Sequence, residues 1–445
     1  MIQKLLNIAL YSARTYTSVK FDKSTIKTSI VFSKIMSNSD TNIKKPRYDG
    51  RSKKRQWEER RSDRDPKNPK QAKVDGDGEI EAYDRIRRRK FVLLLGYSGV
   101  DYYGMQRNPK MKTIEEELFN ALLKCEFINK ECYDQVQNMH FQRAARTDKG
   151  VSAARQICSM KLGENLDIEK VNKYLPEVIR IFASKRVTKG FNSKQQCDGR
   201  TYIYILPTVA FANSDKPIKQ NEYRISEEKL AEINDLLKNF EGTKNFHNFT
   251  SKKKYNDPSA SRFIRSFICE KPFVREGVEF VVLKVYGQSF MLHQIRKMVG
   301  LTLAIIRGVA PKETLLQAFK NEKVCVPRAP GLGLVLDQVH YERYNYRYGK
   351  DGMHETLTWD EVEDKVNDFK EKYIYPTIIN TEINEESMVQ WLEKLDQHTY
   401  DEDEEDDDEK DDNESDDEER KYGKEKKSDK NEVDNIDDKT LEKIN

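Results

Sequence analysis

Residues 143–162 read RAARTDKGVSAARQICSMKL. The first part sets a single acid, Asp148, between Arg146 and Lys149, with Gly150 just after it. In the second part Ile157, Ser159 and Lys161 alternate with Cys158, Met160 and Leu162, which predicts a strand. A carboxylate flanked by two cations should be ionised and held by them, as an attacking group requires. A loop aspartate in a turn accounts for the same residues, and on physics alone that plainer reading is the stronger.

Outward from this stretch, strands and helices alternate irregularly. Phe91–Leu95 is a short apolar run closed by Gly96, consistent with a buried strand. Ile114, Leu118, Ala121 and Leu122 follow at helical spacing after Thr113, a suitable N-cap. Tyr202, Tyr204 and Leu206 repeat at period two. Residues 226–240 place Leu230, Ile233, Leu236 and Leu237 on one helical side. A hairpin is predicted with Arg275-Glu276-Gly277 as its turn and Val278–Val285 as its second strand. Residues 290–307 predict a buried helix, interrupted by Gly300 and followed by Gly308. The mixture lacks regular βα alternation, so the expected class is α/β of the mixed α+β kind rather than a Rossmann sheet. No repeat of solenoid period is present.

Hydrophobic residues make up 37% of the 445-residue chain and charged residues 35%. With a mean hydropathy of −0.86, not all of it can pack as one globule. The charge is uneven. Residues 401–445 hold 23 Asp+Glu against 9 Lys+Arg, which leaves 70 basic against 53 acidic residues in the remainder. A cationic body suits a polyanionic partner. Five segments are expected: 1–35, a mitochondrial presequence or plain N-terminal extension; 36–87, a disordered basic arm; 88–348, the folded catalytic region; 349–399, a helical extension; and 400–445, a disordered acidic tail. The first rests on Lys4, Arg14 and Lys20 with no acid before Asp22, and the second on runs such as Lys53-Lys54-Arg55. No apolar run approaches the length of a membrane span.

Nucleotide-binding glycine loops, GxSxG and His-Glu-x-x-His are absent, and the six cysteines and six histidines show no zinc spacing. The cysteines are read as reduced structural thiols. No metal site is expected, and a structural zinc is open in principle but not indicated.

The segments gain weight from their order. RAARTDKGVSA at 143–153 resembles the catalytic signature of the pseudouridine synthase A (TruA) family, whose core is Arg-Thr-Asp-x-Gly. Gly96-Tyr97-Ser98-Gly99 with Tyr102-Tyr103-Gly104-Met105-Gln106 resembles the family's opening segment, and Arg200-Thr201-Tyr202-Ile203-Tyr204 its Arg-x-Tyr-x-Tyr strand. Phe246-His247-Asn248-Phe249 with Ser261-Arg262 resembles the middle loop. Residues 290–300, bearing His293 and Arg296, resemble its arginine helix, and Gly331-Leu332-Gly333-Leu334 its last loop. Ala145 and Met105 replace the Gly and Trp usual in bacterial members, which points to the eukaryotic branch, a fungal paralogue included.

The resemblance implies a pseudouridine synthase fold: two α/β halves forming a mixed, largely antiparallel sheet around a basic cleft. It implies isomerisation of uridine to pseudouridine in tRNA, in the anticodon stem–loop region, with small nuclear and messenger RNA as further targets. Asp148 would be the nucleophile, Tyr202 would stack on the base and take its proton, and Arg296 would pair with Asp148. Arg146 would fill the place of the flipped nucleotide, a task suited to a planar guanidinium. Arg143, Lys149, Arg200, Gln106 and His293 would contact RNA. No cofactor is implied, a monomer is favoured, and the expected location is the nucleus with a mitochondrial form. The rival readings are a catalytically silent RNA-binding or RNA-folding protein on the same scaffold, and a nuclear interaction protein working through its charged tails.

Overall fold

The computed structural model describes residues 88–214, 219–251 and 253–400. The expected presequence, basic arm and acidic run from 401 onward lie outside these residues. Ten strands form one sheet: β1 (Arg88–Tyr97), β2 (Gln142–Arg143), β3 (Ser152–Gly163), β4 (Ile179–Arg186), β5 (Gly199–Pro207), β6 (Gly242–Asn245), β7 (Ser261–Cys269), β8 (Phe273–Arg275), β9 (Val278–Gly287) and β10 (Leu334–His340). The order is β4-β1-β3-β10-β5-β9-β7-β6, with β2 added on β3 and β8 on β9. Neighbours run antiparallel except β3 and β10, which are parallel. The chain thus makes one half-sheet before residue 187 and another after 198, and the last strand joins them. This is the mixed, largely antiparallel sheet expected of the pseudouridine synthase fold.

Burial shows which faces are covered. β7 alternates exposed and buried positions over much of its length, as a sheet with one wet face requires. β3 does not: only Lys161 of its twelve residues is more than slightly exposed. Both faces of β3 are packed, so the period two read from residues 157–162 marks a strand but not a polar side. The predicted hairpin turn holds Glu276 at φ 49° and Gly277 at φ 82°. Two left-handed residues match the twist of the flanking strands.

Helix α1 (Ile114–Lys124) begins where Thr113 accepts a hydrogen bond from the Glu116 amide. Helix α2 (Glu227–Leu237) begins where Ser226 accepts one from Lys229. Helix α3 (Gln294–Ile306) starts later than the apolar pattern from 290 suggests, because His293 takes a left-handed conformation at φ 57°. Gly300 lies against the segment before β10: a Cβ there would stand 2.1 Å from the Pro327 carbonyl oxygen. Among the described residues no helix is long and apolar enough to cross a membrane, and no cysteine forms a disulfide.

Beyond residue 348, helices α4 (Glu363–Phe369), α5 (Tyr375–Glu385) and α6 (Ser387–Leu395) put Val366, Phe369, Ile378, Leu392 and Leu395 into the same core as the strands. In α5, Pro376 sits in the first turn, where its missing amide is harmless. An ionic layer fastens this segment to the sheet. Arg155 of β3 meets Asp337 of β10 at 3.3 Å and Glu363 of α4 at 2.6 Å, and Lys370 meets Asp337 at 2.9 Å. Lys185 of β4 reaches Glu361 at 2.6 Å and lies 4.7 Å from the Trp359 ring centre.

Replacing Asp337 with Ala takes its carboxylate from Lys370 and leaves Arg155 with Glu363 alone, and removing one partner of a buried pair costs about 3–5 kcal/mol. Urea unfolding of Asp337→Ala should show a loss of that order. A change under about 1 kcal/mol would mean that the layer is solvated and holds nothing.

Candidate active site

Asp148 lies on the loop between β2 and β3, and neighbouring groups fix that loop at nearly every residue. Arg200 donates to the Ala144 carbonyl through Nη2 at 2.6 Å and to the Gln288 carbonyl through Nη1 at 3.3 Å. The buried Gln156 amide accepts from the Ala145 N–H at 3.2 Å and donates to the Ala145 carbonyl at 2.8 Å. Thr147 Oγ1 lies 2.8 Å from the Tyr97 hydroxyl. The Thr147 carbonyl accepts from Met105 N–H at 3.1 Å, and Gly150 N–H donates to Tyr102 at the same distance. The opening segment reaches the loop so closely because it carries glycines. A Cβ at Gly99 would stand 2.3 Å from the Val151 carbonyl oxygen, and one at Gly104, where φ is +89°, 2.7 Å from that of Thr147.

Around the Asp148 side chain, burial pushes the carboxyl above the usual carboxylate range. Arg296, then Arg328, then Arg146 oppose that shift. These three cations come from α3, from the segment before β10 and from the loop itself. Two of them are distant in sequence, so the ionised state depends on tertiary structure more than on the flanking pair read from the sequence. Lys149, exposed, lies 4.9 Å from the Tyr103 ring centre.

Arg296 is buried on a mostly apolar helix. Its Nε donates to the Ala329 carbonyl at 2.7 Å, and its own carbonyl accepts from Ala329 N–H at 3.2 Å. Tyr202, on β5 between Val285 and Leu336, is buried with the Phe290 ring edge-on at 5.3 Å. Burial pushes its hydroxyl up to about 12; Arg200 counters this and the Asp148 charge adds to it. Asp148, Tyr202 and Arg296, read as a trio from the sequence, therefore gather at one place.

The remaining candidates divide. Arg146 is exposed beside Asp148. Arg143 turns inward: it binds Glu115, with Nη2 to Oε2 at 3.1 Å, and donates to Gln106 Oε1 at 3.1 Å. Its charge is balanced inside the protein, and Gln106 shares that cluster. Arg200 likewise serves backbone carbonyls. For these residues the contacts favour holding the loop over reaching a nucleic acid. His293 is buried, with Arg328 Nη1 at 3.1 Å from Nδ1 and 3.3 Å from Nε2. Burial, with Arg328, Arg296 and Lys297, lowers its ring to about 3, so the imidazole is neutral. Arg328 and Gln156 were not singled out from the sequence, and Thr147 and Tyr97 stood in motifs without being given a task. Only the prolines on either side of Arg328-Ala329 hint that this stretch is held rigidly. Among the described residues no three His, Cys, Asp or Glu side chains gather as a metal ion would need.

Comparisons with known proteins agree with this geometry. A sequence model of the family described as tRNA pseudouridine synthase matches residues 236–342, the stretch holding Arg296 and Arg328. The mouse protein named Pseudouridylate synthase 1 homolog is 53% identical over 332 residues, spanning 74% of this chain and 78% of the relative. Its human counterpart is 55% identical over 313 residues, spanning 69% and 73%. The tRNA pseudouridine synthase 1 of Yarrowia lipolytica is 34% identical over 432 residues, spanning 76% and 80%. The two mammalian proteins are thus more similar to this chain than the yeast one.

Gly104→Ala tests how tightly the opening segment clamps the loop. The substitution adds a left-handed alanine and a backbone clash, and should destabilise the protein by about 1–3 kcal/mol. Thermal unfolding measures it, and an unchanged midpoint would show that the clamp is loose.

Proposed function

Because the chain belongs to the tRNA pseudouridine synthase family, and so isomerises uridine to pseudouridine in tRNA, we propose that Asp148 is its attacking group. The observation that carries this assignment is the convergence of Arg296, Arg328 and Arg146 on one partly buried carboxylate beside Tyr202. A nucleophile has to be charged when substrate arrives. Burial strips water from it and makes it more reactive, while the guanidinium groups keep it ionised.

The uridine leaves the RNA stack at a cost of about a few kcal/mol, and Arg146 takes its place. Asp148 then attacks, either at C1′ of the ribose, expelling N1, or at C6 of the base. Both routes need the carboxylate. Attack at C1′ leaves an ester to Asp148 that breaks when C5 bonds to C1′; attack at C6 is followed by cleavage of the C1′–N1 bond and later release of Asp148 from C6. In each the uracil turns, C5 bonds to C1′, the C5 proton leaves and N1 ends protonated. Substrate and product are isomers, so no redox group or nucleotide cofactor enters the balance. Arg296 orients the carboxylate. Tyr202 stacks on the base and relays the C5 proton through its hydroxyl, taking it on the oxygen while its own proton passes on towards N1. With its hydroxyl at about 12, Tyr202 is a neutral phenol at pH 7, so stacking is its resting task.

Within tRNA the reading extends to uridines of the anticodon stem–loop, with small nuclear and messenger RNA as further substrates. A basic cleft between the half-sheets would hold phosphates, with Arg146 and Lys149 at its edge. The protein would act as a monomer in the nucleus, with a mitochondrial form directed by residues 1–35.

Asp148→Ala should abolish conversion while tRNA binding persists; full activity would remove Asp148 from the chemistry, whereas an unsubstituted protein that binds tRNA without converting it would favour the silent RNA-binding alternative. Since burial holds the proton on Asp148 at higher pH than usual, activity should fall as pH drops through a value above the ordinary ~3.9. Arg296→Met should move that limb further up. A limb that stayed put would remove Arg296 from the carboxylate's surroundings. Tyr202→Phe keeps the stacking ring and loses the hydroxyl. It should keep KM and lower kcat by about 10²–10⁴-fold; unchanged kcat would leave stacking as the only role.

A further inference from the structure

The segment from Glu322 to Gly333 has no regular secondary structure, yet it is bonded along most of its length. Asn248 Nδ2 donates to the Glu322 carbonyl at 2.9 Å, and its Oδ1 accepts from Val324 N–H at 3.2 Å. Cys325 N–H donates to the Tyr400 carbonyl at 2.7 Å. Pro327 packs on Gly300, and Ala329 brackets Arg296 from both sides. The Tyr204 hydroxyl donates to the Pro330 carbonyl at 2.7 Å, and Ile205 N–H to the Gly333 carbonyl at 2.9 Å. Two prolines restrict the backbone on either side of Arg328-Ala329. This is a strap, and Arg328 is its charged member.

We propose that Arg328 is a positioning residue: by gripping His293 it fixes the start of α3 and so sets where Arg296 meets Asp148. The inference rests on the reading of Asp148 as nucleophile. His293 stands three residues before Arg296, in a left-handed conformation costing roughly 1–2 kcal/mol, and its side chain does not cap the helix. Such a backbone needs a tertiary contact to hold it, and Arg328 lies within 3.3 Å of both ring nitrogens. The neutral imidazole keeps a lone pair to accept the guanidinium hydrogen. The next residue, Ala329, binds Arg296 directly, so strap and helix hold each other on both sides of the arginine. Arg328 also adds positive potential at Asp148. The groups acting there are Arg296 from α3, Arg328 from the strap, Arg146 from the loop and the neutral Tyr202 from β5.

The test is steady-state kinetics of Arg328→Met and Arg328→Lys on full-length protein with tRNA, across pH. A displaced Arg296 should lower kcat, a 1 Å misplacement being worth on the order of 10²-fold, with KM within about threefold. The acid limb of Arg328→Met should rise by about one unit. Arg328→Lys keeps the charge and loses the planar fork, so it should restore the limb but not kcat. A rise in KM with intact kcat would overturn the proposal and make Arg328 a phosphate contact; unchanged kinetics would overturn it too. A readout independent of catalysis is a double-mutant cycle in urea between Arg328→Met and His293→Asn. Coupling above about 0.5 kcal/mol supports the grip, and additivity refutes it. Activity in Asp148→Asn would instead refute the nucleophile, while the coupling between Arg328 and His293 would still decide the grip.

Discussion

A guanidinium inside an apolar helix is costly unless something of opposite charge comes to meet it. Arg296 sits on α3, where almost every other residue is buried and apolar, and the carboxylate acting on it belongs to the other half-sheet. Much of the architecture serves that meeting. Gly99 and Gly104 let the opening segment press on the Asp148 loop, Gln156 and Arg200 hold its backbone, and Ala329 turns the guanidinium. The same interaction answers two needs: without Asp148 the helix carries an unpaired charge, and without Arg296 the acid has one cation fewer to keep it ionised.

Strand β3 shows how chemistry and stability are kept apart. Adjacent residues on a strand point to opposite faces. Gln156 faces the loop of Asp148, while Arg155 faces the C-terminal helices and their acids. Polar groups are therefore buried on both sides of one strand, for different ends. On one side Gln156 fixes the loop of a reacting group, and on the other Arg155 docks Glu363 of α4.

Local signals were legible in the sequence. Thr113, the turn at 275–277 and the run at 91–95 each act through neighbours a few residues away, so spacing alone identifies them. The trio was legible through the order of several motifs, whereas Asp148 by itself reads as a turn. Partners were not legible. Arg143 and Arg200 look like surface cations until Glu115 and the Ala144 carbonyl turn up beside them. Arg328 gives no signal beyond the prolines around it, because its place is set by a fold that closes 180 residues after Asp148. The alternation at 157–162 marked β3 as a strand but said nothing of its second face, because what covers that face is decided elsewhere in the chain.

The last strand made is the one in the middle of the sheet. While the chain is being synthesised, β3 and β5 each present an open edge until Leu334–His340 emerges to join them. Unpaired edges invite wrong partners, so this interval is when the nascent protein most needs a chaperone. The order also has a genetic meaning. A stop codon shortly before residue 334 would spare Asp148, Tyr202, Arg296 and even Arg328, yet leave the two half-sheets without the strand that joins them. Late truncations of this gene should therefore behave as nulls, although the residues of the reaction are all still encoded.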